Sequence, residues 1–111
     1  MQINLTGHGI DLTPALRTFV NEKFDRLKRR TDGITNIHVV LEVEKMQQIA
    51  KTTLFLDGHE MHAHAESADL YSAIDLMIDK LDHQITKYRD KLKNHHHRER
   101  ENMDAAIAID E

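Results

Sequence analysis

The sequence of 111 residues contains no cysteine and no tryptophan, and only one proline and four glycines. Without cysteine the chain can form neither a disulfide nor a thiolate metal site, which fits a reducing compartment. It has no apolar run of the roughly 20 residues that a membrane-spanning helix needs. Its start, MQINLTGHGI, lacks the basic and apolar regions of a signal peptide. We therefore expect a cytoplasmic protein of one domain, with no membrane partner.

The residues and motifs of common catalytic sites are also scarce. Ser67 and Ser72 are the only serines, and the sequence contains neither a phosphate-binding glycine loop nor a nucleophile motif. We therefore predict that the protein is not an enzyme and has no cofactor. Tyr71 and Tyr88 are the only tyrosines, so a stacking platform for single-stranded bases is poorly supported.

Charge is distributed unevenly along the chain. The formal net charge is −4 at pH 7, which by itself argues against a polyanionic partner. Residues 94–111 hold two basic and five acidic residues, so they carry −3, and residues 1–93 carry only −1. Within residues 1–93, the two segments with helical periodicity hold eleven of the thirteen basic residues and seven of the fourteen acidic ones. Positive charge is therefore concentrated on the predicted helices.

Two segments have the apolar spacing of three and four residues that is typical of amphipathic helices. Thr13 and Pro14 begin the first, because the hydroxyl can accept from free amides and proline suits the first turn. This helix is expected to run to about Arg30, with an apolar stripe of Leu16, Phe19, Val20, Phe24 and Leu27. The second pattern covers residues 69–93, with an apolar stripe of Leu70, Ile74, Met77, Ile78, Leu81, Ile85, Tyr88 and Leu92.

The remaining segments predict strands. Residues 34–45 alternate with a period of two, residues 2–6 and 52–56 form shorter patterns, and Asp57-Gly58 indicates a tight turn into a last strand. The order β-α-β-β-β-α, a right-handed crossover and two hairpins together predict an α+β fold. Two parallel helices would cover one face of a four-stranded sheet built by residues 1–93. Residues 94–111 have no sustained period, and we expect a flexible tail.

Basic residues on the two helices are the main candidates for a binding site. On the first helix, one flank carries Lys23, Arg26 and Arg30; on the second, the same spacing unites Lys80, His83 or Gln84, Lys87 and Lys91. Because parallel helices end at the same pole, these cations could follow the phosphates of structured RNA across a groove. The alternative is that they complement the helix dipoles or lie on a solvated face without a ligand.

Histidines cluster in two places. His59, His62 and His64 belong to the last predicted turn and strand, and three consecutive histidines occupy positions 95–97. Neutral imidazoles at such spacing can bind zinc or nickel adventitiously, but a structural or catalytic site needs three or four convergent ligands with supporting hydrogen bonds. We interpret the first group as a polar, exposed strand face and predict no native metal site.

Four segments together resemble a known family: MQINLTG, ALRTFVNEKFDRL, VVLEVEK and HAHAESADLYSAIDLMIDKLDHQITKYRDKLK. Through them, residues 1–93 resemble the short ribosome hibernation promoting factors of the sigma-54 modulation protein family, which are similar to ribosome-associated inhibitor A. The resemblance implies a fold similar to double-stranded RNA-binding domains. It also implies a non-enzymatic protein, monomeric when free, that blocks translation in stationary phase or stress. Such proteins bind the small ribosomal subunit, its 16S rRNA and nearby ribosomal proteins, in the mRNA and tRNA channel near the A and P sites.

The resemblance also implies which residues face rRNA. They are Arg17, Lys23 and Arg26 in the first helix and Lys80, Lys87, Arg89, Lys91 and Lys93 in the second. Arg30 joins this set from the charge pattern. His83 stands where relatives often carry arginine, so a permanent cation is replaced by an imidazole, whose charge depends on pH.

The role of the tail leaves two functions open. The short hibernation factors promote inactive ribosome dimers together with ribosome modulation factor, whereas ribosome-associated inhibitor A has an extended tail, competes with that factor and disfavours dimers. Residues 94–111 are of intermediate character, so the sequence is compatible with either activity. A stand-alone RNA-binding module of the same fold is a further alternative.

Overall fold

Six elements follow one another in the predicted order β-α-β-β-β-α. The computed structural model describes residues 2–93. The elements are β1 (Gln2–His8), α1 (Pro14–Arg30), β2 (Ile34–Glu44), β3 (Gln47–Leu56), β4 (His59–Ser67) and α2 (Leu70–Lys93). The predicted fold class is therefore confirmed, whereas the predicted tail and the histidines at positions 95–97 lie outside the described residues.

The sheet places the strands in the order β1-β2-β3-β4. β1 and β2 are parallel and are connected through α1, while β2, β3 and β4 pair antiparallel through two hairpins. A crossover from one parallel strand to the next is right-handed in almost all proteins. Both helices therefore pack on the same face of the sheet and run in the same direction, as the sequence predicts.

The core lies between that face of the sheet and the two helices. The largest side chains that are fully buried in it are Phe24, Ile37, Leu41, Leu54, Leu56, Ile74, Met77, Leu81 and Ile85. These residues come from α1, β2, β3 and α2 and belong to one cluster. Burying one such side chain contributes about 1.5–3 kcal/mol relative to leaving it exposed. Packing of the apolar stripes of the two helices against the apolar face of the sheet is thus the main source of stability.

Two strands are longer than their sequence patterns predict. β1 extends to His8 because Gly7 and His8 still pair with Leu41 and Glu42 of β2. A side chain at Gly7 would place its Cβ only 2.9 Å from the backbone oxygen of Ile10, so this close approach requires glycine. The first strand therefore ends at His8 and not at residue 6 as predicted, and the third strand begins at Gln47 and not at residue 52.

The start of β3 is the larger difference. Residues 47–51 contain two glutamines and a lysine and have no clear alternation, yet they pair with the second half of β2. A two-residue turn at Lys45 and Met46, with Lys45 at a φ of 57°, sets this register. The turn at Asp57 and Gly58, with φ angles of 53° and 82°, is confirmed. Because of this main-chain pairing with β2, β3 begins at Gln47, before the start that the alternation of its side chains predicts.

Both helices begin at a capping side chain. The Thr13 Oγ1 accepts a hydrogen bond from the backbone N–H of Leu16 at 3.1 Å. The Asp69 Oδ2 accepts from the backbone N–H and from the hydroxyl of Ser72, each at 2.9 Å. The hydrogen bond from the backbone N–H of Ser72 has the largest effect and the one from its hydroxyl the next largest, and together they hold the pKa of Asp69 below its ordinary value. The negative charge also lies at the positive end of the α2 dipole.

Replacing Asp69 by alanine is expected to lower the melting temperature by about 3–8 °C at neutral pH, because α2 loses its cap. The folded-state pKa is lowered, so the stabilisation by the carboxylate is present above its ordinary pKa near 4 and is lost as pH falls through the lowered value. Thermal unfolding of the wild type and of Asp69→Ala at pH 7 and at about pH 3 tests this. Asp69→Asn, which caps without charge, is the matched control. An equal loss for Asp69→Ala at both pH values would contradict a role for the charge.

Candidate nucleic-acid interface

The basic flank of α1 faces α2. Lys23, Arg26 and Arg30 line one side of a groove between the two helices. The Lys23 Nζ lies 2.8 Å from the Asp75 Oδ1, and the Arg30 guanidinium donates to the carboxylate of Asp82. Two of the three cations of this flank are therefore engaged with α2.

Acidic side chains form the opposite wall of this groove. Asp75, Asp79 and Asp82 follow one another at spacings of four and three, so they lie on one flank of α2. Leu27 and Ile78 complete the lining of a groove of about 370 Å³. The cations of the two helices consequently do not meet across this groove. The groove has mixed charge, with a basic wall from α1 and an acidic wall from α2.

The basic row of α2 lies over β4 instead. The Lys80 Nζ donates to the backbone oxygen of His64 at 2.8 Å, and the Gln84 Nε2 donates to that of His62 at 2.6 Å. β4 is an edge strand, and its outward carbonyls would otherwise depend on water or on another chain. Of the two alternatives left open by the sequence, Gln84 rather than His83 therefore belongs to this row. Lys80 and Gln84 shield the edge of the sheet.

After Gln84, the basic row of α2 continues toward the C-terminal end of the helix, past the first residue of β4. Tyr88 packs against His59, the first residue of that strand, with ring centroids 5.0 Å apart. Lys87 and Lys91 are exposed, and among the described residues neither has a hydrogen bond or an ion pair. They lie on the flank of Lys80 and Gln84 by helical spacing. Their ammonium groups are thus accessible to a ligand.

The C-terminal ends of the helices lie side by side. The Arg89 Nη1 donates to the backbone oxygen of Arg30 at 3.0 Å and so satisfies a carbonyl at the end of α1. Lys28, Arg29 and Arg30 form the basic last turn of that helix, where cations are favoured by the helix dipole. Both helices therefore end at the same pole, as the predicted topology requires.

The predicted site residues fall into two groups. Lys23, Arg30, Lys80 and Arg89 make contacts within the protein. Within the described part of the chain, the side chains of Arg17, Arg26, Lys87, Lys91 and His83 are exposed and have no ion pair or hydrogen bond. Arg17 lies on the flank of α1 away from α2, roughly a third of a turn from Lys23. The side chain of Lys93 lies outside the described residues.

Two further features bear on the predicted set. Arg29, which the sequence places at the basic pole but not among the residues predicted to face rRNA, is exposed and has no partner among residues 3–91. The acidic wall of the groove was detectable from the spacing of Asp75, Asp79 and Asp82, but not its position opposite the basic flank of α1.

The open face of the sheet is polar. His38 lies 3.4 Å from Asn4, and His62 lies 3.1 Å from Thr53 and 2.8 Å from Glu60. The register aligns Asn4, His38, Thr53 and His62 in one row across the sheet. Residues 2–93 contain no group of three histidine, aspartate or glutamate side chains that could hold a metal ion. None of the described helices has the length and apolarity needed to cross a membrane.

Comparison with known proteins identifies related chains that share this architecture. A family model described as Sigma 54 modulation protein / S30EA ribosomal protein matches residues 3–93. A ribosome hibernation promoting factor of Klebsiella oxytoca is 52% identical over 95 residues, which are 86% of this chain and 100% of that protein. Another, of Azotobacter vinelandii, is 48% identical over 91 residues, covering 82% and 85% respectively.

Two solved structures have the same fold. A ribosomal subunit interface protein from Coxiella burnetii superposes with a TM-score of 0.74 at 37% identity, covering 82% of this chain and 100% of that one. The N-terminal domain of Protein Y from Thermus thermophilus superposes with a TM-score of 0.74 at 34% identity, covering 79% and 99%. The matched region contains all six elements and both helices that carry the basic residues.

Proposed function

The chain belongs to the Sigma 54 modulation protein / S30EA ribosomal protein family, and on this premise we propose that it is a ribosome hibernation factor. It binds the small ribosomal subunit through basic residues of α1 and α2 and keeps ribosomes inactive. Relatives that cover most of this chain are named ribosome hibernation promoting factors, and one of similar structure is named a ribosomal subunit interface protein. The action is binding without chemistry, in a cytoplasmic protein that is monomeric when free.

The observation that carries this proposal is the set of unpaired helix cations. Within the described residues these are Arg17, Arg26, Arg29, Lys87 and Lys91, all exposed. They can contact phosphates without breaking a contact inside the protein. Exposed cations without internal partners recognise the phosphate backbone and the shape of structured RNA rather than its base sequence. The net charge of −4 does not by itself oppose such binding, because only seven of the 19 acidic residues lie in the two helical segments and the other 12 lie outside them.

The site of action follows from the family resemblance. We place the protein in the mRNA and tRNA channel of the small subunit near the A and P sites, against 16S rRNA and nearby ribosomal proteins. There it inhibits translation by occupying the space that mRNA and tRNA need. An inhibitor of this type requires no catalytic residue, and its effect is reversed when it dissociates. We expect the protein to act in stationary phase or stress, which agrees with the name of the ribosome hibernation promoting factors among its relatives.

Co-sedimentation with purified small subunits at increasing salt concentration tests the proposal. If about four phosphates are contacted, the affinity should fall about 100-fold for a fourfold rise in salt, because counterions are released from the RNA. P-site tRNA together with mRNA should displace the protein. Binding that is independent of salt, or that is unaffected by tRNA and mRNA, would contradict it. Equal affinity for a generic RNA duplex would favour a stand-alone RNA-binding module.

A second activity concerns ribosome dimers, with ribosome modulation factor as the partner. Relatives are named ribosome hibernation promoting factors, and the family resemblance implies that such factors promote dimers. Residues 94–111, with a net charge of −3, are the segment on which that resemblance leaves the outcome open. Sedimentation profiles of ribosomes with the full chain and with a chain ending at Lys93, each with and without ribosome modulation factor, distinguish promotion from prevention. More dimers with the full chain indicate promotion, and fewer indicate prevention.

A further inference from the structure

The ion pairs across the helix groove are a feature that RNA binding alone does not explain. They use two of the cations expected to face rRNA, Lys23 and Arg30, and oppose them with Asp75 and Asp82. The Lys23 side chain is only 22% exposed, and its Nζ also lies 5.1 Å from the centre of the Phe19 ring. Arg26 lines the same groove without a partner among the described residues. The groove therefore holds cations in two different states, paired and free.

A carboxylate and a phosphate compete for the same donors. Both are anions that accept charge-assisted hydrogen bonds from lysine and arginine. When RNA reaches the groove, Lys23 and Arg30 must turn from the aspartates to the phosphates, or must donate hydrogen bonds to both anions at once. The aspartates then remain close to the phosphates and repel them. The electrostatic gain from these two contacts is consequently smaller than at Arg26.

A purely structural role explains the pairs less well. Exposed ion pairs contribute little to stability because water and salt screen them, and Asp75 is 51% exposed. The helices are already held together by a core in which Val20, Phe24, Ile74 and Leu81 are completely buried. Stability therefore does not require a carboxylate at either position.

We infer that Asp75 and Asp82 are internal competitors for rRNA phosphates, which hold Lys23 and Arg30 in the free protein and weaken its binding to RNA. This inference rests on the proposed function and concerns the regulation of the same surface. A ligand must displace both carboxylates. Generic RNA, whose phosphates do not follow the groove, therefore gains little affinity from contacts there. A ribosomal site that presents phosphates along the whole groove gains more. The two aspartates thus keep the free protein from being retained on other RNA.

The test measures binding of Asp75→Asn, Asp82→Asn and the double variant to purified small subunits and to a generic RNA duplex. Each single variant is expected to bind small subunits about 2- to 5-fold more tightly, on the scale of one exposed ion pair. The double variant should gain roughly 10-fold. The generic duplex should gain at least as much as the subunits do. The slope of log affinity against log salt concentration should steepen with each substitution, by about the amount that one additional phosphate contact contributes.

Asp25→Asn is the matched control. Asp25 also pairs with a lysine, Lys28 at 3.4 Å, but both residues lie on α1 and neither lines the groove. The substitution changes the net charge by the same amount, so it should alter affinity by less than about 2-fold. In a Lys23→Gln background the gain from Asp75→Asn should become smaller, since the cation that it releases is absent and only the repulsion between Asp75 and phosphate is relieved.

The outcomes separate the inference from the proposed function. If the wild type binds small subunits and the aspartate variants bind equally or more weakly, the inference is wrong and the function stands. A gain of equal size in Asp25→Asn would also overturn it, because net charge alone would then be responsible. If the wild type does not bind small subunits at all, the proposed function fails and the inference with it. Unchanged melting temperatures verify that every variant is folded.

Discussion

Replacing Lys87 and Lys91 together by glutamate is expected to weaken binding to small ribosomal subunits by about 100-fold or more. Both ammonium groups are exposed, and neither has a partner among the described residues. Each charge-assisted contact to a phosphate is worth about 1.5–3 kcal/mol, and reversal adds repulsion to the lost contact. Because no internal contact is broken, the stability of the protein should hardly change. Equilibrium co-sedimentation with purified subunits at a fixed salt concentration measures the effect.

Lys45 and Lys51 provide the charge control for this experiment. Lys45 lies in the turn between β2 and β3, at the pole opposite the C-terminal ends of the helices. Lys51 lies on the open face of the sheet, where its Nζ is 3.4 Å from the Glu42 Oε2, so an unchanged melting temperature must show that losing this ion pair leaves the fold intact. Replacing both by glutamate changes the net charge by the same amount, but away from the proposed interface. We expect a loss of less than about 3-fold. Similar losses in the two double variants would indicate nonspecific charge effects and would argue against a helix-borne interface.

Leu81→Ala is expected to lower the free energy of unfolding by about 3 kcal/mol, within a range of roughly 2–5 kcal/mol. Leu81 is completely buried in the core between α2 and the sheet. Truncation removes apolar contacts and leaves a cavity that the surrounding strands cannot fill without moving. Equilibrium unfolding in urea, followed by circular dichroism, gives the change directly. In a domain of this size, such a loss is a large share of the total stability.

Leu76 on the same helix is the control, since its side chain is 45% exposed. Leu76→Ala should change the free energy of unfolding by less than about 0.5 kcal/mol. The comparison keeps residue type and helix constant and varies only burial. If the two variants were equally destabilised, the assignment of the buried stripe of α2 would be wrong.

The helices and the order of elements could be predicted because their signals are local. Thr13, Pro14 and the apolar stripe of α1 specify where that helix begins and which side is buried. β3 is different, because residues 47–51 have no clear alternation of polar and apolar residues and are held in the sheet by main-chain pairing with β2. Such pairing depends on the turn at Lys45 and Met46 rather than on the side chains of the segment itself. Periodicity alone therefore misses the first half of this strand.

The candidate site could be predicted in composition but not in arrangement. Helical spacing correctly unites Lys23, Arg26 and Arg30, and the parallel helices follow from the topology. Spacing cannot tell which element each flank faces, because that depends on how the helices pack side by side on the sheet. For this reason the cover of the β4 edge by Lys80 and the position of the acidic wall that includes Asp75 emerge only from the structure.

The absence of cysteine permits the most direct test of the central claim, that the helix cations face rRNA in the small subunit. Single cysteines introduced by Glu22→Cys, Thr86→Cys and Met46→Cys can each carry a tethered iron chelate for hydroxyl-radical cleavage. Glu22 lies one helical turn before Arg26, Thr86 adjoins Lys87, and Met46 is 88% exposed in the turn between β2 and β3. None of the three substitutions removes a basic residue.

The measurement is the pattern of rRNA cleavage in small subunits bound by each labelled protein. We expect strong cleavage of the rRNA that lines the mRNA and tRNA channel from positions 22 and 86, and weak cleavage from position 46. Addition of tRNA and mRNA should abolish it. Strong cleavage from position 46 with none from positions 22 and 86 would contradict the account, as would cleavage confined to rRNA outside the channel.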